Sequence, residues 1–169
     1  EEAVIDKLTP PTLDPEPTPG KPEADVEVKG DAPTIKNDAD TVKEIELSVK
    51  LTDEEKEAVK AGADIKFKIV VKDEVKAGDK ELIDTKISSL VNNGVVGKVF
   101  DITIEKQVGN NAAVKAEFNS EITLKVQVPE ELINKDDSKT RTYKVIRVHD
   151  GEVTVIDKEN CVFDEETGL

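Results

Sequence analysis

Residues 65–72 read Ile-Lys-Phe-Lys-Ile-Val-Val-Lys. Ile65, Phe67, Ile69 and Val71 fall on one side of an extended chain and Lys66, Lys68 and Lys72 on the other, the two-residue period of a strand with one buried face. The lysines make the solvated face. Upstream, Thr52-Asp53-Glu54-Glu55 has the Thr-x-x-Glu spacing of a capping box, with acids in the first turn that complement the helix dipole. Gly62 stands where a helix ends in a left-handed residue. Together they predict a short helix over about 52–61. Before it, Ile45, Leu47, Val49 and Leu51 alternate with Glu46, Ser48 and Lys50, which predicts a second half-buried strand.

Downstream the period changes. Leu82, Ile83, Ile87, Leu90 and Val91, with Lys86 among them, recur at helical spacing, and Asp79 and Gly94 suit the two ends of a helix over about 79–92. Strand patterns then follow closely: Phe100, Ile102 and Ile104; a Gly109-Asn110-Asn111 turn; Val114 to Phe118; and Ile122, Leu124, Val126 and Val128, closed by Pro129. Asp150-Gly151 between Tyr143–Val148 and Val153–Ile156 predicts a two-residue hairpin turn, both positions accepting positive φ. Cys161 to Phe163 is a candidate for one more strand. Short strands at this turn spacing predict a mainly β fold, an antiparallel β-sandwich with two short inserted helices.

The start of the chain differs in kind. Six of the eight prolines lie between Pro10 and Pro22, and residues 1–25 carry seven acids and two lysines with few apolar groups. Such a stretch buries too little surface to offset its ordering entropy, so it reads as a Pro-rich acidic linker. Residues 26–169 are then the β-sandwich module. Pro15-Glu16-Pro17-Thr18-Pro19 also has the form of a proline-rich ligand, although an acidic spacer is the commoner use.

The whole chain of 169 residues has a net charge of -14, which repels phosphate backbones and anionic headgroups. Neither nucleic acid nor a membrane surface is an expected partner. No apolar run approaches the roughly 18–20 residues that span a bilayer, and Glu1 does not open a basic-then-apolar signal peptide. No nucleotide-loop, nucleophile-elbow or zinc-protease motif occurs. One histidine and one cysteine cannot build a zinc site from those ligand types alone. Cys161 reads as a small hydrophobe on a strand, and His149 lies in the turn Val148-His149-Asp150-Gly151. Asp38, Asp40, Asp136 and Asp137 are hard oxygen ligands in loops, but without the spacing of an EF-hand. The sequence therefore nominates no catalytic, cofactor-binding or metal-ligating residue, and no enzyme. Tyr143 and the four phenylalanines are the only possible stacking residues, and Phe67 and Phe100 belong by default to the core.

Three stretches carry a resemblance: LTDEEKEAVKAGADIKFKIVVKD at Leu51–Asp73, VGKVFDITIEKQVGN at Val96–Asn110, and VQVPEELINKDDSKTRTYKVIRVHDGEVTVID at Val126–Asp157. Over about Thr41–Leu169, with RVHDG at Arg147–Gly151 the most specific element, the chain resembles β-sandwich modules of secreted surface proteins from Gram-positive, especially clostridial, bacteria. More remotely it is similar to ZU5-like sandwiches. The resemblance implies an Ig-like or ZU5-like sandwich, located outside the cell at the surface or wall, beside neighbouring modules of the same chain. Related modules continue past an Asp-Glu-x-Thr-Gly turn into a further strand, so the module is expected to lack its last strand after Asp164–Gly168. Some surface sandwiches of this kind form a Lys-Asn or Lys-Asp isopeptide bond. Lys106 motivates that idea here, because it continues the face of Phe100, Ile102 and Ile104; the ordinary reading is a rim lysine that snorkels into water.

Two function classes follow. The first is a non-catalytic extracellular structural or spacer module of a bacterial cell-surface protein, displaying or scaffolding its neighbours. The second is a recognition module, either an adhesin for a host or cell-wall protein or, less favoured, a carbohydrate-binding accessory domain for a glycan.

Overall fold

In a computed structural model of the chain, the structure describes residue 18 and residues 20–90, 96–136, 138–139, 143–156 and 162–164. Most of the linker assigned to 1–25 lies outside these residues, as do the helix stop at Gly94, Asp137, Cys161 and the turn after Asp164. The described elements are β1 (Pro22–Lys29), α1 (Ala39–Ser48), α2 (Asp53–Lys60), β2 (Ile65–Lys72), α3 (Ala77–Leu90), β3 (Asp101–Val108), β4 (Val114–Lys115), β5 (Val145–His149) and β6 (Glu152–Ile156), with a 3-10 turn at Glu130–Leu132. They make a mixed α/β fold with a sheet-rich core: a four-stranded sheet in the order β1-β2-β3-β4 and a separate hairpin sheet β5-β6.

The strand at 65–72 is where the pattern placed it. Ile65, Phe67, Ile69 and Val71 are buried and Phe67 is only 2% exposed. They form the centre of a single core with Ile35, Ile45, Val49, Ile104, Val108 and Ala116. The helix at 52–61 is α2, closed by the expected capping box: Thr52 accepts from the Glu55 amide, and the Glu55 carboxylate accepts from the Thr52 amide. Gly62 adopts φ 94° just beyond it. The helix at 79–92 is α3, two residues earlier at each end. At the β5-β6 turn Asp150 and Gly151 both have positive φ, 50° and 81°, as the Asp-Gly pair requires.

Three expectations are corrected. The alternation at 45–51 is not a strand: residues 39–48 form α1, capped by Asp38, whose carboxylate accepts from the Thr41 amide at 3.0 Å. Thr41, Ile45 and Ser48 are buried at helical spacing while Leu47 is 74% exposed, so the helix period wins and the apparent two-residue period is coincidental. The second correction concerns Pro22–Asp25, placed in the linker, which are the first half of β1. That strand pairs parallel to β2, Pro22 opposite Ile65 through Lys29 opposite Lys72, so the sheet is not wholly antiparallel. A proline is tolerated there because it is the first residue of a strand at the sheet edge. Finally, Ile122–Val128 is no continuous strand; it meets the rest of the fold through an isolated bridge from Val126 to Ile35, as Phe118 does to Val49. The inner face of the four-stranded sheet is thus covered by α1, Ala58 and Val59 of α2, and the segments around Ile35 and Ala116–Val126.

The hairpin and α3 form a second region. β5 and β6 pack on α3, and Tyr143 stacks at a tilt on Phe163, with ring centroids 4.8 Å apart. Among the described side chains, none of α3, β5 or β6 belongs to the buried core.

Candidate functional site

The charged side chains on the outer sheet face stand in columns of alternating sign. Glu23, Asp25 and Glu27 of β1 lie opposite Lys66, Lys68 and Val70 of β2, which lie opposite Gln107, Glu105 and Thr103 of β3; Lys72 lies opposite Asp101. Glu105 in turn faces Lys115 of β4. Lys68 pairs with Glu27, which also meets Lys29 at 3.3 Å, and Lys72 reaches Asp101 at 3.5 Å. Lys68 and Lys29 hold the Glu27 carboxyl below its ordinary value, while Glu27 pushes Lys68 up. The sequence showed the lysines as a solvated face; what it did not show is that register sets Glu23 and Asp25 opposite Lys66 and Lys68, and Lys68 opposite Glu105, while Lys29 and Lys72 face each other as like charges at the end of the ladder.

Lys106 points inward, on the face of Ile102 and Ile104, and is 7% exposed, so the expectation of a rim lysine that snorkels into water is corrected. Its ammonium donates to the Glu55 carboxylate at 2.5 Å and to the Lys50 carbonyl at 2.7 Å. Burial alone would raise the Glu55 carboxyl, but Lys106 and the Thr52 amide outweigh it and hold it below the usual glutamate range. The partner is thus a glutamate already committed to a helix cap, not the asparagine or aspartate that the isopeptide idea needs. Glu55 was visible in the sequence only as half of the capping box. Its second role depends on α2 lying against β3, which no local pattern reports.

Of the acids expected in loops, Asp40 instead lies in the first turn of α1, and Asp38 and Asp136 have protein partners. Asp38 caps α1, accepts from the Thr41 hydroxyl at 2.9 Å and pairs with Lys125 at 2.8 Å, with Lys36 at 3.7 Å. Lys125 and the two Thr41 donors hold its carboxyl far below the ordinary aspartate value. Asp136 accepts from the Ser138 amide and hydroxyl and pairs with Lys139 at 2.8 Å. Among the described residues no group of three or more His, Cys, Asp and Glu side chains is arranged to hold a metal ion.

An open groove of about 450 Å³ lies beside the end of β1, lined by Asp31, Thr34, Lys98, Gln127, Pro129 and Glu131 among others. Lys98 pairs with Asp31 across it, and Asp31 donates its amide to Asp73 at 2.8 Å. That turn requires Gly30, at φ 67°, because a Cβ there would collide with the Asp73 carboxylate. The aromatic residues are divided: Phe67 is in the core, Phe100 and Phe118 are packed against it, and Tyr143 with Phe163 belongs to the hairpin region. His149 is exposed beside Asp150. Among the described residues no helix is long and apolar enough to cross a membrane. No protein-family model matches the chain, and no curated protein or solved structure does either.

Proposed function

We propose that the chain is a non-catalytic structural module of a Gram-positive cell-surface protein, a spacer that displays or scaffolds neighbouring modules outside the cell. The observation that carries this reading is the outer sheet face, where the charged columns are matched to one another by register instead of converging on a cavity. Such a face is highly hydrated, and most of its charge, the Lys29–Lys72 end excepted, is met by opposite charge on the neighbouring strand. The resemblance of Leu51–Asp73, Val96–Asn110 and Val126–Asp157 to surface β-sandwich modules supplies the location. The sandwich architecture is part of the same proposal: the bridged segments at Ile35–Val126 and Val49–Phe118 cover the inner face where a second sheet would lie. The test has two arms. Immobilised protein is exposed to a glycan array and to host extracellular-matrix extract, and deletion of the module from the surface protein that carries it is followed by display length and ligand binding. Silence in the first arm with shortened display in the second is expected; a saturable ligand lost on deletion with display unchanged overturns the reading.

A recognition module is the second reading, favoured by the open groove between Asp31 and Glu131. A ligand from either screen whose binding is abolished by Gln127→Ala would establish it.

A further inference from the structure

Chain path and strand order together determine how this fold meets tension. The polypeptide enters the sheet at Pro22, at the end shared by Ile65 of β2 and Val108 of β3. Gly20, just before it, lies so close to the Ala63 carbonyl and Asp64 that a Cβ would overlap them. The chain leaves the core at the other end: Gln127, Val128 and Pro129 line the same groove as Asp31, which follows β1, and Lys98, which precedes β3. Entrance and exit are therefore separated along the strand axis, by roughly 26 Å for eight residues at about 3.3 Å each.

The geometry points to a mechanical clamp at the β1-β2 pair. Tension applied through the two sides of the chain draws β1 lengthwise past β2. Because the two strands are parallel and in register over eight residues, from Pro22–Ile65 to Lys29–Lys72, their ladder bonds are loaded together in shear. The hairpin meets the same tension differently. Val145 lies opposite Ile156, so the chain enters β5 and leaves β6 at one end of the ladder, and pulling opens it one pair at a time. One protein thus contains a sheared pair and an unzipped pair in series, and resistance to forced unfolding, a rate property, differs between them. For its biological use this clamp rests on the spacer reading, since only a module under tension needs one.

The experiment is single-molecule pulling, with handles placed N-terminal to Gly20 and C-terminal to Asp164 and with flanking reference domains. Two steps are expected: a weak one that releases the hairpin, about 40 Å of chain for its 12 residues, and a later one at two-fold or higher force that releases β1. The control keeps the protein and changes only the direction. With Cys161 replaced by Ser and handles at Lys29→Cys and Lys72→Cys, β1 and β2 are pulled apart from adjacent ends, and the peak force is expected to fall at least two-fold. Equal forces in the two directions, or detachment of β1 before the hairpin, overturn the clamp. Neither result bears on the spacer reading, which the ligand screens and display length test separately.

Discussion

β2 and the β5-β6 hairpin carry nearly the same pattern in sequence and have different fates in the fold. In β2 every second side chain is buried, and four of them anchor the core. In the hairpin the inward residues Ile146, Val148, Val153 and Val155 are only partly buried, and Val145 is exposed. The difference lies in the neighbours. β2 is flanked by β1 and β3 and roofed by α1 and the bridged segments, whereas among the described elements the hairpin rests on α3. Alternation specifies which way a side chain points; the number of layers around the strand decides how much water it loses.

The sharpest way to break this comparison is to truncate one residue in each region. Phe67→Ala is expected to cost about 3–5 kcal/mol, while Ile146→Ala in the hairpin costs about 1 kcal/mol. Chemical denaturation monitored over the whole fold measures both, and equal costs would erase the distinction. Next in size, Lys106→Ala leaves the Glu55 carboxylate without its ammonium in a largely buried site and is expected to cost about 2–3 kcal/mol. Adding Glu55→Gln should recover part of that loss, since the charge left behind is then removed.

Acid tests the same region through its carboxyls. Glu55 and Asp38 are held below their ordinary values in the folded chain. A depressed folded value means that their contribution is complete above the unfolded range near pH 4 and is lost as pH falls through the folded values. Stability should therefore decline steadily below about pH 4.5. Asp38→Asn retains a cap-forming side chain but loses the Lys125 pair, so its denaturation midpoint should fall less steeply with acid than that of the parent chain. An unchanged slope would remove Asp38 from the account. The smallest effect is expected at Leu47→Ser, within about 0.5 kcal/mol of neutral, because Leu47 stands on the solvent side of α1. Had 45–51 been a strand with Leu47 inward, the same change would be among the most damaging.

What the sequence disclosed follows from where the information is local. The capping box at Thr52–Glu55, the Asp150-Gly151 turn and the strand at 65–72 are complete within a few residues, and each stands where its pattern placed it. Residues 45–51 misled because Ile45 and Val49, four apart, satisfy a helix face and a strand face equally well; the deciding signal was Asp38 capping Thr41. Residues 22–25 misled because proline-rich, acidic composition outweighed a modest alternation of Ala24, Val26 and Val28. Of the candidate site, the place of Lys106 after Ile102 and Ile104 raised an inward direction, but the ordinary behaviour of a lysine at a strand end favoured the rim, and only the Glu55 partner explains its burial. The matched charge columns and the Lys106–Glu55 pair were not legible, since both exist only after strands and helices from distant parts of the chain are brought into register.

The position of β1 also changes where the module can be cut. A fragment begun at residue 26, where composition alone draws the boundary, would retain only half of the parallel partner of β2. The remaining edge would present the unpaired backbone of Ile65-Lys66-Phe67-Lys68, a β-favouring segment whose two lysines are its only gatekeepers against pairing with another chain. Excision from Gly20 onward keeps that edge covered, so the first strand serves as a cap on the sheet's tendency to aggregate.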